Sequence, residues 1–135
     1  MSNVTEVVFT IHRAFQYVDD GRYEEWSELL SEDIRFCNMN HVWVEGRDAV
    51  LQHIKRRPVD GLTGRHLALN TVAGIRDDGS AYAVTDYLYV AQLLHGPFMR
   101  WEIVAVDRCA DELTLEGGQW LFTKRVMTGG QLPGK

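Results

Sequence analysis

The sequence predicts an α+β domain in which helices come first and a sheet of long antiparallel strands follows. Two observations support this. An amphipathic pattern with helical period occupies the start of the chain, and four long segments after Arg65 are rich in Val, Ile, Tyr, Trp and Thr. The length of 135 residues suits one domain, so we take residues 1–135 as a single unit and expect 128–135 to be a frayed tail.

The first predicted helix covers residues 4–19. Its apolar positions recur at intervals of three and four, which is typical of a helix that buries one face; they are Val4, Val7, Val8, Ile11, Ala14, Phe15 and Val18. The pair Asp20-Gly21 ends the helix. Its apolar stripe requires a surface to pack on, and the concave face of the sheet is the expected partner.

Shorter elements follow the first helix. A second short helix is predicted with Tyr23, Trp26, Leu29 and Leu30 on one side. Residues 34–38 form a predicted strand, and 42–44 are another short apolar piece. A third helix follows Gly46 and must stop before Pro58, because the residue before a proline disfavours helical geometry.

The long strands are predicted over residues 65–76, 81–94, 98–113 and 119–127, as a four-stranded antiparallel meander. Turn-forming residues separate them, namely Asp77-Asp78-Gly79-Ser80, His95-Gly96-Pro97 and Glu116-Gly117-Gly118. The strand over 81–94 is apolar on both faces, whereas antiparallel sheets usually leave one face to water. We therefore expect a homodimer formed through the outer face of the sheet.

Composition narrows the classes of function. The net charge of −5 argues against a nucleic-acid partner. No stretch approaches the ~18 apolar residues of a membrane span. Residues 1–20 lack a basic start followed by an apolar run, so no signal peptide is predicted and the cytoplasm is the expected compartment. Neither metal-ligand spacing nor a glycine-rich phosphate loop is present, and we expect no cofactor and no metal.

Several segments in this order resemble the SnoaL-like branch of the NTF2-like superfamily. They are residues 23–36, the helix start Gly46-Arg-Asp-Ala-Val50, the strand start Arg65-His-Leu-Ala-Leu-Asn70, Asp111-Glu-Leu113, and Gly118-Gln-Trp120 leading into Lys124-Arg-Val126. The resemblance covers about residues 4–127. It implies a cone-shaped barrel with three N-terminal helices packed on a strongly curved, mainly antiparallel sheet around a pocket. The superfamily includes dehydratases, isomerases, cyclases and non-catalytic members.

Asp19 and His66 are the candidate catalytic residues. Asp19 lies at the edge of the buried face of the first helix, beside Phe15, and His66 opens a strand. The resemblance to scytalone-dehydratase-like and bile-acid-dehydratase-like members implies a pocket acid and a catalytic histidine at these two positions. A helix-end carboxylate that binds backbone N–H groups and a structural histidine remain the alternatives. We predict that the two side chains meet, within ~6 Å of each other, in the pocket.

Further polar and aromatic residues are expected to bind the substrate: Asn70, Tyr87, Tyr89, Asn38, Trp101 and Asp107. Alternation along a strand predicts that His66 and Asn70 share one face, and that Trp101 shares a face with Asp107. Resemblance to ketosteroid isomerases would require an acid at Asn38 and a tyrosine at Ala14, and resemblance to limonene epoxide hydrolases would require an arginine at Val84. Neither chemistry is favoured.

The predicted function is that of a cofactor-independent lyase or isomerase acting on a small, largely apolar carbonyl compound. In the most concrete version His66 moves the proton, Asp19 fixes its tautomer, and Tyr87, Tyr89 and Asn70 polarise the carbonyl group. The alternative is a non-catalytic ligand-binding or assembly subunit resembling the small subunit of ring-hydroxylating dioxygenases.

Overall fold

The computed structural model describes residues 3–56 and 63–128, with the side chain of His95 excepted. Pro58 and almost all of the predicted tail lie outside these residues. Three helices precede or interrupt the early strands: α1 (Val4–Asp19), α2 (Tyr23–Ser27) and α3 (Arg47–Lys55). Helix α1 begins where the side chain of Asn3 accepts a hydrogen bond from the Glu6 amide, the usual N-cap arrangement.

Six strands form one sheet: β1 (Leu30–Cys37), β2 (Trp43–Glu45), β3 (Gly64–Ile75), β4 (Ala81–His95), β5 (Phe98–Glu116) and β6 (Gln119–Met127). Their order across the sheet is β2-β1-β6-β5-β4-β3. All neighbours are antiparallel except β1 and β6, which run parallel. The predicted α+β architecture, with three helices and a mainly antiparallel sheet, is confirmed in the described residues.

The predicted end of the second helix is wrong. Leu29 and Leu30 do not belong to the second helix, which ends at Ser27, and Leu30 already begins β1. The sheet decides this boundary, because Leu30 pairs with Phe122 of β6 and the Phe122 amide donates to the Leu29 carbonyl at 2.8 Å. A five-residue helix has few internal hydrogen bonds with which to resist that pairing.

The core lies between the concave face of the sheet and the helices. Helix α1 packs mainly on β3 and buries Val7, Ile11, Ala14 and Phe15, while α3 packs on β1. Three small side chains of β4, Ala81, Ala83 and Thr85, are fully buried, and α1 also contacts this strand. They let the helix approach the sheet closely. The last turn of α1 is thereby held at the edge of the sheet, near the start of β3.

Bulges bend the long strands and change which side chains face inward. The register shifts in β3 between Ala68 and Asn70 and, where β4 pairs with β5, between Tyr89 and Val90. At each shift one residue is left unpaired, so the alternation of faces changes phase. Both bulges lie beside the wall of a large cavity, and they determine which residues can reach it.

Candidate functional site

A cavity of about 660 Å³ opens between α1, α2, α3 and the concave sheet. Its volume is in the range of pockets that hold small organic ligands. Most of its wall is apolar or aromatic. A few polar side chains interrupt this wall, and they include Asp19, Asn38, His53, His66, Tyr87, Tyr89, Asp107 and Arg125.

The expected contact between Asp19 and His66 is present. Asp19 Oδ1 lies 2.5 Å from His66 Nδ1, and Asp19 Oδ2 accepts a hydrogen bond from the His66 backbone amide at 2.8 Å. The Asp19 side chain is 5% exposed and that of His66 is 13% exposed. Because the carboxylate accepts a hydrogen bond from Nδ1, this nitrogen carries the proton in the neutral ring, and Nε2, which has no hydrogen-bond partner among the described residues, is left as the acceptor nitrogen.

Aromatic rings enclose the imidazole of His66. Phe15 stacks on it at a centroid distance of 5.3 Å, and the rings of Tyr87 and Tyr89 lie at 5.4 Å and 4.8 Å. The ring of Tyr89 occupies the space where Gly64 has no side chain; a Cβ there would lie 2.0 Å from the Tyr89 hydroxyl. The packing fixes the orientation of the imidazole and excludes bulk water from one side of it.

Asp107 is a second carboxyl group in the cavity wall. It pairs with Tyr87 across β4 and β5, so both side chains face inward, and it is 7% exposed. Within the described residues its carboxyl oxygens have no hydrogen-bond donor. Burial raises the pKa of Asp107, and the nearby His66 opposes the rise. Burial, assisted by the charge of Asp107, also raises the pKa of Tyr87, so this phenol stays protonated.

We expect Asp107→Asn to stabilise the protein as pH rises. The pKa of Asp107 is higher in the folded than in the unfolded chain, so its contribution to stability is complete below about pH 3.9 and is lost as pH rises through the folded-state pKa. The asparagine cannot ionise. The difference in melting temperature between variant and wild type should therefore be near zero at about pH 3 and grow in favour of the variant at higher pH.

The control is Asp78→Asn at an exposed turn. The side chain and backbone of Ser80 donate to Asp78 and lower its pKa, so this substitution should give the opposite trend. Equal pH profiles for the Asp107 and Asp78 variants in thermal unfolding would contradict the assignment.

Sequence reasoning missed Arg125, which also lines the cavity. Its Nε and Nη2 donate to the two carboxylate oxygens of Asp111 at 2.7 Å and 3.0 Å, and both residues are buried. Burial alone would lower the pKa of Arg125, but the Asp111 carboxylate, together with Cys109 and Tyr87, outweighs burial and the pKa is raised. The available signal was that two charged residues, Lys124 and Arg125, interrupt the apolar strand β6, and that an acid, Asp111, lies on the preceding strand of the same hairpin.

Asn38 lines the cavity, but its side-chain oxygen is already occupied. It accepts hydrogen bonds from the backbone amides of Asn40 and Val42 at 2.9 Å and 3.0 Å, which closes the turn between β1 and β2. This part of Asn38 therefore shapes the wall of the cavity.

Asn70 and Trp101 lie away from the cavity. The bulge after Ala68 pairs Asn70 with Asp86, whose side chain faces outward, while Thr71 turns inward. The bulge beside Val104 places Trp101 opposite Gln92 on the outer face, where Trp101 is exposed. The predicted faces were wrong at both positions because strict alternation does not survive a bulge.

No group of three or more His, Cys, Asp or Glu side chains in residues 3–56 and 63–128 is arranged to hold a metal ion. In the same segments, no helix is long and apolar enough to cross a membrane.

Solved structures with the same fold support this architecture. The chain is similar to Aln2 from a Streptomyces species, with a TM-score of 0.82, 15% identity, and coverage of 91% of this chain and 87% of Aln2. A putative scytalone dehydratase from Novosphingobium aromaticivorans gives a TM-score of 0.74 and 17% identity, with coverage of 91% and 80%.

A protein from Catenulispora acidiphila in complex with S-DNPA gives a TM-score of 0.73 and 20% identity, with coverage of 91% of each chain. At these identities the likeness establishes a shared fold. No curated protein sequence matches the chain significantly. The profile of the SnoaL-like domain matches residues 1–126, nearly the whole chain, and the protein therefore belongs to the SnoaL-like domain family.

Proposed function

We propose that this protein is a cofactor-independent lyase or isomerase that acts by acid–base chemistry on a small, largely apolar carbonyl compound. Dehydration of a β-hydroxy ketone is the specific reaction. The contact of Asp19 with His66 Nδ1 is the observation that carries the proposal, because it leaves Nε2 as the free base within a largely apolar cavity.

The proposed reaction begins at His66. Nε2 removes a proton from the carbon next to the carbonyl group, and the electron pair of that C–H bond forms an enolate. The enolate then expels the β-hydroxyl group, which takes the proton back from the imidazolium and leaves as water. The product is a conjugated enone. No electron is gained or lost overall, so the reaction needs no redox partner.

The roles of the other residues follow from their positions. Asp19 holds the tautomer of His66 and stabilises the imidazolium, while Phe15 and Tyr89 fix the plane of the ring. Tyr87, which stays protonated, offers a hydroxyl donor beside His66. Asp107 supplies a polar group that a hydroxyl of the substrate can bind. These assignments support an enzyme more than a purely structural subunit.

The test uses a panel of fused-ring β-hydroxy ketones. Enone formation is followed by ultraviolet absorbance, and exchange of the proton next to the carbonyl is followed by proton NMR in D₂O. We expect wild-type protein to catalyse the exchange and His66→Asn to abolish it. Exchange that is equally fast with wild type and with His66→Asn would contradict the proposal.

The alternative function, a non-catalytic ligand-binding or assembly subunit, gains support from the outer face of the sheet. Large apolar side chains are exposed there, including Leu67, Val72, Trp101, Ile103 and Val106. Leu67, Leu88 and Val106 lie in one row across β3, β4 and β5. An assembly subunit would bind partners through this face without exchanging protons of the panel ketones.

We propose that two copies associate through this outer face. Light scattering during gel filtration should give the mass of a dimer at micromolar concentration. We expect the interface to bury a total of ~1,200 Å² or more, the size typical of a stable dimer. Val106→Lys places a charge in the centre of the face and should yield a monomer. Phe9→Lys, which changes an equally exposed side chain on α1, is the matched control and should remain a dimer. A monomeric wild-type protein would contradict the proposal.

A further inference from the structure

We propose that the guanidinium group of Arg125 binds the carbonyl oxygen of the ligand inside the cavity. The inference rests on the proposed function for the class of ligand, a carbonyl compound. It concerns binding alone, so it can fail or succeed independently of turnover.

The first observation is the way in which Arg125 is held. The carboxylate of Asp111 accepts hydrogen bonds from Nε and Nη2, which lie along one edge of the guanidinium plane. No hydrogen bond to Nη1 is found within the described part of the chain. The residue is 5% exposed and lines the cavity, so a buried N–H donor remains available to whatever occupies that space.

The second observation is that the group cannot turn away. The guanidinium carbon lies 4.6 Å from the centroid of the Phe122 ring and 5.0 Å from that of Phe15. These rings and Asp111 fix the plane of the guanidinium, so a ligand oxygen would bind without the cost of ordering a flexible side chain. A buried ion pair such as Arg125–Asp111 contributes little to the stability of a fold, because desolvation largely offsets the attraction of the charges. A binding role gives this pair a reason to line the cavity.

The third observation is that Arg125 and His66 share aromatic neighbours in the cavity wall. Both groups contact the Phe15 ring, and Tyr87 contacts Phe15 and His66 as well. A carbonyl compound bound to Arg125 would therefore occupy the part of the cavity that His66, Phe15 and Tyr87 also line. The charge of Arg125 is balanced by Asp111, and the cavity wall carries two further carboxyl groups, those of Asp19 and Asp107. An oxygen with partial negative charge fits this environment better than a second full carboxylate.

The experiment compares two fluorescent probes of nearly equal size, 2-acetylnaphthalene and 2-ethylnaphthalene. They differ in that the C=O group of the first is a CH₂ group in the second. We expect wild-type protein to bind the ketone at least about tenfold more tightly, because the donor is charged and desolvated. In the double variant Asp111→Val/Arg125→Met, which removes both charges, the preference should fall to about threefold or less. In His66→Ala it should persist.

Infrared spectra provide a second readout, and its first part uses the wild-type protein alone. The ¹³C-labelled carbonyl band of bound 2-acetylnaphthalene should move to lower frequency than in an apolar solvent, both in wild type and in His66→Ala. Arg125→Lys keeps the charge beside Asp111 but lacks the planar fork, and should lose most of the shift. An unshifted band in wild type, or an unchanged ketone preference in either folded Arg125 variant, would overturn the proposal. Loss of catalysis without loss of the preference would count against the proposed reaction only.

Discussion

Asp19→Asn is expected to lower turnover by about 10²-fold or more while the fold is retained. The carboxylate accepts from His66 Nδ1 at 2.5 Å and from the His66 amide at 2.8 Å. An asparagine can keep one of these hydrogen bonds, but it carries no charge to stabilise the imidazolium. Its amide group can also donate to Nδ1, which would move the ring proton to Nε2 and remove the free base.

The measurement is kcat for whichever ketone of the panel proves to be a substrate, together with the melting temperature. Asp20→Asn is the matched control, because Asp20 is the next residue and forms only a half-exposed ion pair with Arg65. Its kcat should stay near that of wild type. If Asp19→Asn lowers the melting temperature and leaves kcat intact, Asp19 is a structural helix-end residue and the proposed role is wrong.

The sequence predicted the relation between Asp19 and His66 because each position depends on a strong local pattern. The apolar stripe of α1 sets its rotation, so Asp19 must emerge at the edge of the buried face. His66 stands near the start of β3, before any bulge, where alternation still holds. Family resemblance supplied the pairing of the two, since residues 47 positions apart are joined only by the fold.

Other parts of the site could not be predicted in this way. Asn70 follows the bulge in β3 and Trp101 precedes the bulge in β5, and nothing in the apolar composition of either strand shows where a residue drops out of register. Arg125 was missed for another reason. A charged residue in a strand normally faces water, and its burial depends on Asp111 being opposite it in the register of β5 and β6.

The register of that hairpin leads to the largest effect on stability that we expect. Asp111→Asn leaves the Arg125 cation buried without a counter-charge, and should cost about 3–5 kcal/mol of unfolding free energy. For a domain of this length, that loss lowers the melting temperature by roughly 10 °C or more. Thermal and urea unfolding at neutral pH measure it.

The outer face of the sheet supplies a matched control. Asp86 holds Arg108 through the same two-point arrangement, with Nε–Oδ1 at 2.5 Å and Nη2–Oδ2 at 3.1 Å, but both side chains are about one-third exposed. Water can solvate Arg108 when its partner is lost, so Asp86→Asn should cost about 1 kcal/mol or less. Equal losses for the two substitutions would show that burial does not decide the energy of these pairs.

The double variant Asp111→Val/Arg125→Met tests why Asp111→Asn destabilises the protein. The loss can come from leaving Arg125 buried without a counter-charge, or from losing the attraction of the ion pair itself. If the cost of Asp111→Asn comes from an unpaired buried charge, removing Arg125 as well should recover most of the stability, although the ion pair is gone. If the pair itself stabilises the fold, the double variant should be at least as unstable as the single one. We expect recovery, because desolvation of two ions largely offsets their attraction. A fold that does not need this pair for stability would retain it for the ligand that the cavity holds.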